Sequence, residues 1–315
     1  MRILFVKTSS LGDVIHHCPA VTDVRSRYPE AAIDWVVEEA FAEIVRMHSG
    51  VRTAIPVAVR RWRHGALRPS VWKEMLSFRR SLRAENYDHV IDTQGLLKSA
   101  LIAASARGVR HGYDASSARE AIACRLYDIG HAVSREMHAV DRNRALTALA
   151  LGIGSAGKCD YGLAPPQAVA VPLEKPFCVL LTMTSRAHKL WPEQCWVELA
   201  QALAVRGYES VFPWGNDVER ARCQRIVDAA GSGIVPRALS LGELAGVMTS
   251  AQGVIGVDTG LAHLAAALNV PTIGLYVRTD PRLTGLHGTG RLANLGGPGQ
   301  SPSVGEALAA VGAIF

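Results

Sequence analysis

The segment Asp258–His263 has the pattern D-T-G-x-x-H, which combines groups suited to binding a phosphorylated ligand. Backbone N–H groups of Thr259 and Gly260 could bind a phosphate, and glycine has no side chain to keep it away. Asp258 would repel a phosphate, so we expect its carboxylate to accept hydrogen bonds from hydroxyls of a ribose or sugar. His263, one turn further on, could donate to a phosphate oxygen or a leaving group. The alternative is that Asp258 or Thr259 only caps a helix and His263 is a half-buried helix residue.

A second polar segment, Ser10–Asp13, offers a carboxylate near the N-terminus. Asp13 could act as a general base, because a carboxylate takes a proton from an attacking hydroxyl when it lies within reach and burial raises its pKa. Gly12 beside it would let a substrate approach the backbone closely. The alternative is a capping box, in which Ser10 and Asp13 satisfy the first N–H groups of a helix.

Two further segments carry groups that bind anions. Thr184 and Ser185 can donate to a phosphate, and Lys189 can neutralise its charge. The alternative is a polar surface loop with a solvated lysine. Glu219 lies at the start of a later predicted helix, where it could meet a ribose hydroxyl.

Arg60, Arg61 and Arg63 surround Trp62 in a short basic run. Arginines suit bidentate capture of carboxylate or phosphate, whereas the alternative is a solvated basic surface. The run is short and no nucleic-acid motif accompanies it, so we do not expect a nucleic-acid partner.

These residues follow apolar runs that predict buried parallel strands. Gly253–Val257 and Thr272–Tyr276 flank a helix with apolar residues from Leu261 to Leu268, which is a βαβ unit. In such sheets ligands bind beyond the carboxyl ends of the strands. The other predicted strands are Arg2–Val6, Ala32–Val37, Val51–Val59, Asp88–Asp92, Val109–Tyr113, Phe177–Leu181 and Glu209–Pro213. We predict one helix from the Asp13 loop to about Tyr28, a Gly/Pro-rich loop after Tyr276, and a final helix over Ser303–Ile314.

The chain has 315 residues, 49% of them hydrophobic, which suits two α/β domains. We place these at 1–160 and 161–315, joined by a Gly- and Pro-rich linker over 152–176. The final helix could pack back on the first domain. Gly152–Gly157 matches G-x-G-x-x-G but follows a helix and precedes none, so we reject a dinucleotide site there.

The composition also limits the class of protein. No apolar run reaches about 18 residues, so we predict no membrane-spanning helix. The six cysteines are scattered without C-x-x-C pairs, as in reduced cytoplasmic proteins, and no spacing indicates a metal site. The net charge of +6 favours anionic partners.

Six motifs together resemble the bacterial lipopolysaccharide heptosyltransferases, above all the heptosyltransferase I type, among the inverting GT-B glycosyltransferases of family 9. They are KTSSLGDVIHHCPAVTD, PVAVRRWR, NYDHVIDTQGLLKSA, KLWP, PWG and VDTGLAHLAAAL. The likeness covers nearly the whole chain in the same order. It implies two Rossmann-like, doubly wound domains facing across a cleft. It also implies ADP-heptose as donor, the Kdo residue of Kdo2-lipid A as acceptor, and a cytoplasmic, peripheral location on the inner membrane.

The resemblance also implies roles for individual residues. Asp13 would be the catalytic base, and Lys189 would stabilise the departing ADP. The donor-binding residues would be Thr184, Ser185, Lys189, Glu219, Leu239, Asp258, Thr259, Gly260 and His263. The acceptor-binding residues would be Ser10, Gly12, Arg60, Arg61 and Arg63. Ser185 and Leu239 replace the family's usual threonine and methionine, the stretch Arg278–Leu286 has diverged, and no cofactor or metal is implied.

Three other functions compete with this hypothesis. A related enzyme could add a later heptose, as heptosyltransferases II and III do. A GT-B-like sugar-nucleotide epimerase would convert the donor without an acceptor. A non-catalytic protein would bind the nucleotide sugar but be indifferent to the loss of Asp13.

Overall fold

The computed structural model describes residues 1–65, 68–154, 157–164 and 175–315. These residues form two compact units, Met1–Gly162 and Leu163–Phe315. The units divide close to the boundary that we placed after residue 160. Part of the predicted linker, residues 155–156 and 165–174, lies outside the described residues.

The first unit is built on a parallel sheet. Its strands are β1 (Arg2–Val6), β2 (Ala32–Glu38), β3 (Thr53–Val57), β4 (Asn86–Asp92), β5 (Arg107–Tyr113) and β6 (Ile129–His131). They lie in the order β3-β2-β1-β4-β5-β6, and every neighbouring pair is parallel. Residues Ile3–Val6 of β1 are fully buried, as expected for a strand covered on both faces. The strand order reverses between β1 and β4, so a ligand crevice is expected at their carboxyl ends.

The helices of the first unit follow their strands closely. They are α1 (Leu11–Ile15), α2 (Cys18–Arg27), α3 (Ala42–Arg46), α4 (Val59–His64), α5 (Pro69–Ala84), α6 (Leu97–Ala103) and α7 (Ala139–Leu151). The prediction of a single helix after Asp13 is wrong, because the helix is interrupted at residues 16–17, between α1 and α2. Pro19 lies in the first turn of α2, where its missing N–H costs no helical hydrogen bond.

The predicted strand Val51–Val59 extends too far. The strand β3 ends at Val57, and the basic run that follows it forms the short helix α4. Arg60, Arg61 and Arg63 therefore all project from this short helix.

The second unit contains another parallel sheet. Its strands are β7 (Phe177–Leu181), β8 (Glu209–Val211), β9 (Gly253–Val257), β10 (Thr272–Tyr276) and β11 (Leu292–Gly296). Their order is β11-β10-β9-β7-β8, and every neighbouring pair is parallel. A single parallel bridge from Val211 to Ile234 extends the sheet beyond β8. This sheet reverses its order between β7 and β9, which places its expected ligand crevice there.

The helices of the second unit are α8 (Glu193–Val205), α9 (Asp217–Ala230), α10 (Leu241–Thr249), α11 (Gly260–Ala267), α12 (Pro281–Thr284) and α13 (Val304–Ile314). The prediction of only loop after Tyr276 is wrong, because this stretch contains α12 and β11. The strand β11 is half-exposed and includes Asn294, whereas β9, of the same length, is fully buried and apolar. A half-exposed strand does not need the continuous apolar run by which we recognised β9. The pairing of β11 with β10 is what orders it.

Helices pack on the second sheet over an apolar core that contains two tryptophans. The rings of Trp191 and Trp196 meet edge to face with centroids 5.0 Å apart. The final helix α13 buries Ala307 and Val311 in the same core. That this helix also packs back on the N-terminal domain stays a prediction.

Helix length bears on membrane insertion. The helix α5 has 16 residues and carries several charges, whereas crossing a bilayer takes about 20 mainly apolar residues. Across the part of the chain that the structure describes, we find no helix with the length and hydrophobicity needed to cross a bilayer.

Candidate functional site

Two loops meet at the switch point of the second sheet. One follows β7 and carries Thr184, and the other follows β9 and begins at Asp258. The Thr184 hydroxyl donates a hydrogen bond to the backbone carbonyl of Asp258, at 2.9 Å. The parallel neighbours β7 and β9 therefore bring together residues that are far apart in the sequence.

The carboxylate of Asp258 is the centre of this cluster. Its Oδ2 atom lies 2.6 Å from Lys189 Nζ and accepts a hydrogen bond of 2.7 Å from the Thr279 hydroxyl. His263 Nε2 lies 3.8 Å from the other oxygen. We expected Asp258 to accept hydrogen bonds from ligand hydroxyls, but here it already binds three side chains of the protein.

The charge of Asp258 is stabilised by these contacts. Burial alone would raise its pKa, but the contacts from His263, Lys189 and Thr279 hold the pKa below its ordinary value. Asp258 is therefore ionised at neutral pH and keeps the Lys189 ammonium beside the N-terminus of α11. A lysine and a helix N-terminus at one place can bind the phosphates of a nucleotide.

The other residues predicted to bind the donor also lie in the second unit, and Ser185, Thr259 and Gly260 belong to the same two segments as this cluster. Thr259 is the N-cap residue of α11 and Gly260 its first residue, while His263 is buried. Ser185 is exposed on the loop before Lys189.

Glu219 lies in the first turn of α9, and Leu239 lies on the loop before α10. Glu219 accepts a hydrogen bond of 2.7 Å from the backbone N–H of Gly215, so its carboxylate closes the turn after β8. Leu239 is half-buried just before Ser240, the N-cap residue of α10. Thr184, Lys189 and His263 thus contact Asp258 directly, whereas Glu219 and Leu239 do not belong to this cluster.

Asp13 lies at the corresponding edge of the first sheet. Its Oδ2 atom accepts hydrogen bonds from the backbone N–H and the hydroxyl of Ser10, at 3.0 and 3.2 Å. The capping arrangement that we predicted as an alternative is therefore present. The other oxygen, Oδ1, lies 3.0 Å from Arg119 Nη2, and the carboxylate is 17% exposed. Capping uses one oxygen of Asp13, so it does not exclude a chemical role.

A pKa raised by burial was one condition for Asp13 to act as a general base, and the structure does not meet this condition. Burial acts in that direction, but the charges of Lys7 and Arg119 outweigh it and lower the pKa well below its ordinary range. The carboxylate is therefore ionised throughout neutral pH.

Lys7 is a residue of this site that sequence reasoning missed. It is 4% exposed, and its Nζ donates to the Thr93 carbonyl at 2.9 Å and to Asn143 Oδ1 at 3.3 Å. Burial lowers its pKa to about 8, partly opposed by the charge of Asp13. Its position directly after β1 was the available signal, because the carboxyl end of a central strand is where ligands bind.

A small pocket lies beside Asp13 and is rich in positive charge. Lys7, Arg119 and Arg142 line it together with Tyr113, over whose ring the Arg142 guanidinium lies at 4.8 Å. Three cations face one carboxylate here. The positive charge beside the Asp13 carboxylate would therefore attract an anionic group to this place.

The three arginines of α4 differ in their surroundings. Arg61 makes paired contacts with Glu74, at 2.8 and 2.7 Å, and with Glu39, at 3.2 and 3.1 Å. The Arg60 guanidinium lies 5.3 Å from the ring centre of Phe41, and Arg63 is exposed. The structure thus places Arg61 in a carboxylate network, whereas Arg60 and Arg63 are better placed to meet a ligand.

Two kinds of sequence comparison agree on the family. The model of glycosyltransferase family 9 (heptosyltransferase) matches residues 75–306. Lipopolysaccharide heptosyltransferase 1 of Escherichia coli (strain K12) is 43% identical over 295 residues, which cover 93% of this chain and 92% of that protein. Its counterpart in Pseudomonas aeruginosa is 45% identical over 298 residues, which cover 91% of this chain and 82% of that protein.

The fold agrees with a solved heptosyltransferase. The structure of the Escherichia coli heptosyltransferase WaaC with ADP matches with a TM-score of 0.89 and 39% identity, covering 99% of both chains. The structure of WaaC with ADP-2-deoxy-2-fluoro heptose matches equally well.

These comparisons confirm the predicted GT-B fold class and the predicted enzyme class, a glycosyltransferase. The matched model spans well over half of the chain, and the relatives above cover nearly all of it. The chain belongs to glycosyltransferase family 9, the heptosyltransferases.

Proposed function

We propose that this enzyme transfers L-glycero-D-manno-heptose from ADP-heptose to the Kdo residue of Kdo2-lipid A, with inversion at the anomeric carbon. One observation carries the proposal. The Lys189–Asp258 pair lies at the N-terminus of α11 in a chain that is 39% identical, over 99% of its length, to a heptosyltransferase bound to ADP.

The donor is assigned to the second unit. Lys189 and the N–H groups of Thr259 and Gly260 would bind the diphosphate, with Thr184 and Ser185 on the neighbouring loop. His263 would donate to the phosphate oxygens, Glu219 would bind the ribose and Leu239 would contact the adenine. As the bond to ADP breaks, negative charge grows on the phosphate, and Lys189 stabilises it.

The acceptor is assigned to the first unit. Ser10 and Gly12 would bind the sugar next to Asp13, while Arg60, Arg61 and Arg63 would attract its anionic groups. Arg61 contributes chiefly by holding α4 in place, since its guanidinium already binds Glu39 and Glu74. Asp13 takes the proton of the acceptor hydroxyl as that oxygen attacks the anomeric carbon of the donor from the face opposite ADP.

An acceptor embedded in lipid implies a location. We assign the enzyme to the cytoplasm, bound peripherally to the inner face of the inner membrane. The net charge of +6 is consistent with attraction to acidic headgroups.

The test measures release of ADP from ADP-heptose, with and without detergent-dispersed Kdo2-lipid A, for the intact enzyme and for Asp13→Asn. Release should require the acceptor and fall by roughly 10²- to 10⁴-fold in the variant, because it keeps the shape of Asp13 but not its basicity. Binding of ADP by the variant, measured calorimetrically, should be unchanged.

The control acceptors distinguish the other functions. Release only with a core that already carries heptose would assign the enzyme to a later step. Conversion of the donor without any acceptor would indicate an epimerase, and binding of ADP-heptose with no turnover would contradict catalysis altogether.

A further inference from the structure

The outer face of α5 exposes large apolar side chains. Val71 and Leu82 are buried on the inner face of this helix. Trp72, Met75 and Leu76 are 56%, 38% and 50% exposed. Trp72 and Leu76 are four residues apart, which places them side by side on one outer stripe.

The second half of the same face is basic. Arg79, Arg80 and Arg83 are exposed, and Arg79 and Arg83 continue the stripe that begins at Trp72 and Leu76. None of the three forms an ion pair with a residue that the structure describes. We call these six residues, Trp72, Met75, Leu76, Arg79, Arg80 and Arg83, the α5 face.

Packing against the basic helix α4 holds α5 in place. The rings of Trp62 and Phe78 meet with centroids 5.6 Å apart, and Arg61 bridges from α4 to Glu74 of α5. Glu74 and Phe78 lie more than about 100° around the helix from Trp72 and Leu76. The α5 face therefore points away from α4.

We propose that the α5 face docks on an acidic phospholipid bilayer. Trp72, Met75 and Leu76 enter the boundary between headgroups and acyl chains, while Arg79, Arg80 and Arg83 bind lipid phosphates. This inference deepens the membrane location given under the proposed function and rests on it.

The chemistry of the α5 face favours a bilayer over a second copy of the chain. A tryptophan ring suits the interface between water and lipid, and arginines beside it match the negative charge of acidic headgroups. A symmetric dimer through this face would bury three arginines from each copy, and the α5 face contains no acidic side chain to pair with them.

Trp72 supplies a direct probe, because it is 56% exposed whereas Trp35, Trp191 and Trp196 are at most 1% exposed. Trp62 and Trp214 are half-buried, and Trp72→Phe separates their emission from that of Trp72. With vesicles of phosphatidylglycerol brominated on its acyl chains, tryptophan emission of the intact enzyme should shift to the blue and be quenched. In Trp72→Phe the quenching should largely disappear while sedimentation with the same vesicles persists. Equal quenching of both proteins would overturn the proposed docking face.

The apolar contribution is tested with a matched pair of leucines. Leu76→Ser should weaken sedimentation with phosphatidylglycerol vesicles by roughly tenfold, because it removes one inserted side chain. Leu101→Ser is the control, since Leu101 of α6 is 53% exposed and Leu76 is 50% exposed. Equal losses in the two variants would contradict insertion of the α5 face.

The basic contribution is tested by charge removal. Changing Arg79, Arg80 and Arg83 to Gln should weaken binding by about fivefold per arginine, and so roughly a hundredfold in total. Binding should also fall with added salt and with phosphatidylcholine vesicles. The control changes the same number of exposed cations elsewhere in the first unit, Arg125, Arg135 and Lys158, to Gln.

Two further results keep this inference separate from the proposed function. The α5 variants should transfer heptose to detergent-dispersed acceptor at the rate of the intact enzyme. Normal transfer without vesicle binding by the intact enzyme would overturn the membrane inference alone, and absent transfer would overturn the proposed function. A shift from dimer to monomer in Leu76→Ser without lipid would instead assign the α5 face to a second copy.

Discussion

At the scale of single residues, the two aspartates assigned to the site are both held ionised by their neighbours. His263, Lys189 and Thr279 do this for Asp258, and Lys7 with Arg119 does it for Asp13. The two carboxylates differ in their surroundings. Both oxygens of Asp258 contact side chains of the protein, whereas Asp13 lies in a pocket with three cations. An anionic acceptor bound to those cations would offset their charge and make Asp13 a stronger base.

The Lys189–Asp258 contact predicts coupled effects on donor binding. Lys189→Met should weaken ADP binding by roughly 10- to 100-fold, since it removes a charge-assisted hydrogen bond to phosphate. Asp258→Asn should weaken it several-fold by releasing Lys189, and should add little in the Lys189→Met background. Titration calorimetry of the two single variants and the double variant measures this coupling.

The control for this cycle is Asp228→Asn, which changes an acidic residue of α9 that binds Gln224. It should leave ADP affinity unchanged. Additive losses from Lys189→Met and Asp258→Asn would mean that Asp258 acts on the donor independently of Lys189.

At the scale of elements, the end of β4 supports the site of the first unit. Gln94 Oε1, just beyond β4, accepts hydrogen bonds from the N–H and hydroxyl of Thr8, at 2.7 and 2.8 Å. The pairing of β4 with β5 shifts its register between Asn86 and His89. Gly108 lies opposite this irregularity with φ of +145°, a conformation that residues with a Cβ rarely adopt.

Gly108→Ala should therefore destabilise the first unit. The added Cβ would lie 2.4 Å from the Tyr87 carbonyl oxygen, a backbone atom that cannot move without disturbing β4. We expect a loss of about 1–3 kcal/mol in the free energy of unfolding, measured by urea denaturation.

The matched control is Gly312→Ala in α13, where a Cβ meets nothing within 4 Å. That substitution should stabilise by up to about 1 kcal/mol, because alanine is a better helix former than glycine. Similar losses in both variants would show that the close approach at Gly108 is not the cause.

At the scale of the whole molecule, donor residues and the proposed base belong to different units, each with its own sheet. Ligand binding to the second unit alone should therefore be measurable as thermal stabilisation. The stabilisation should depend on the residues of that unit and be indifferent to those of the first.

ADP at a hundredfold excess over its Kd should stabilise the enzyme by about 2.7 kcal/mol in scanning calorimetry. Lys189→Met should lose most of this shift at the same ADP concentration, whereas Asp13→Asn should keep it. A shift that disappears in Asp13→Asn would place part of the ADP site in the first unit.

Local sequence patterns were enough to predict the buried strands and the family. Continuous apolar runs predicted the buried strands Arg2–Val6, Phe177–Leu181, Gly253–Val257 and Thr272–Tyr276, and the structure confirms all four. Such strands are recognisable because burial on both faces demands apolar residues at every position. The motifs after them sufficed to predict the heptosyltransferase family, which the comparisons confirm. The individual roles of the site residues stay predictions.

The charges around the site could not be predicted from local patterns, because the fold brings them together from distant parts of the chain. Arg119 lies 106 residues from Asp13, and Lys189 lies 69 residues from Asp258, so no local pattern joins these partners. For the same reason the sequence did not reveal that Thr279, on the loop after β10, contacts Asp258. It also did not reveal the strand β11, which is defined by its pairing with β10. A local pattern records which residues are buried, whereas a pKa and an ion pair depend on which charges the fold brings together.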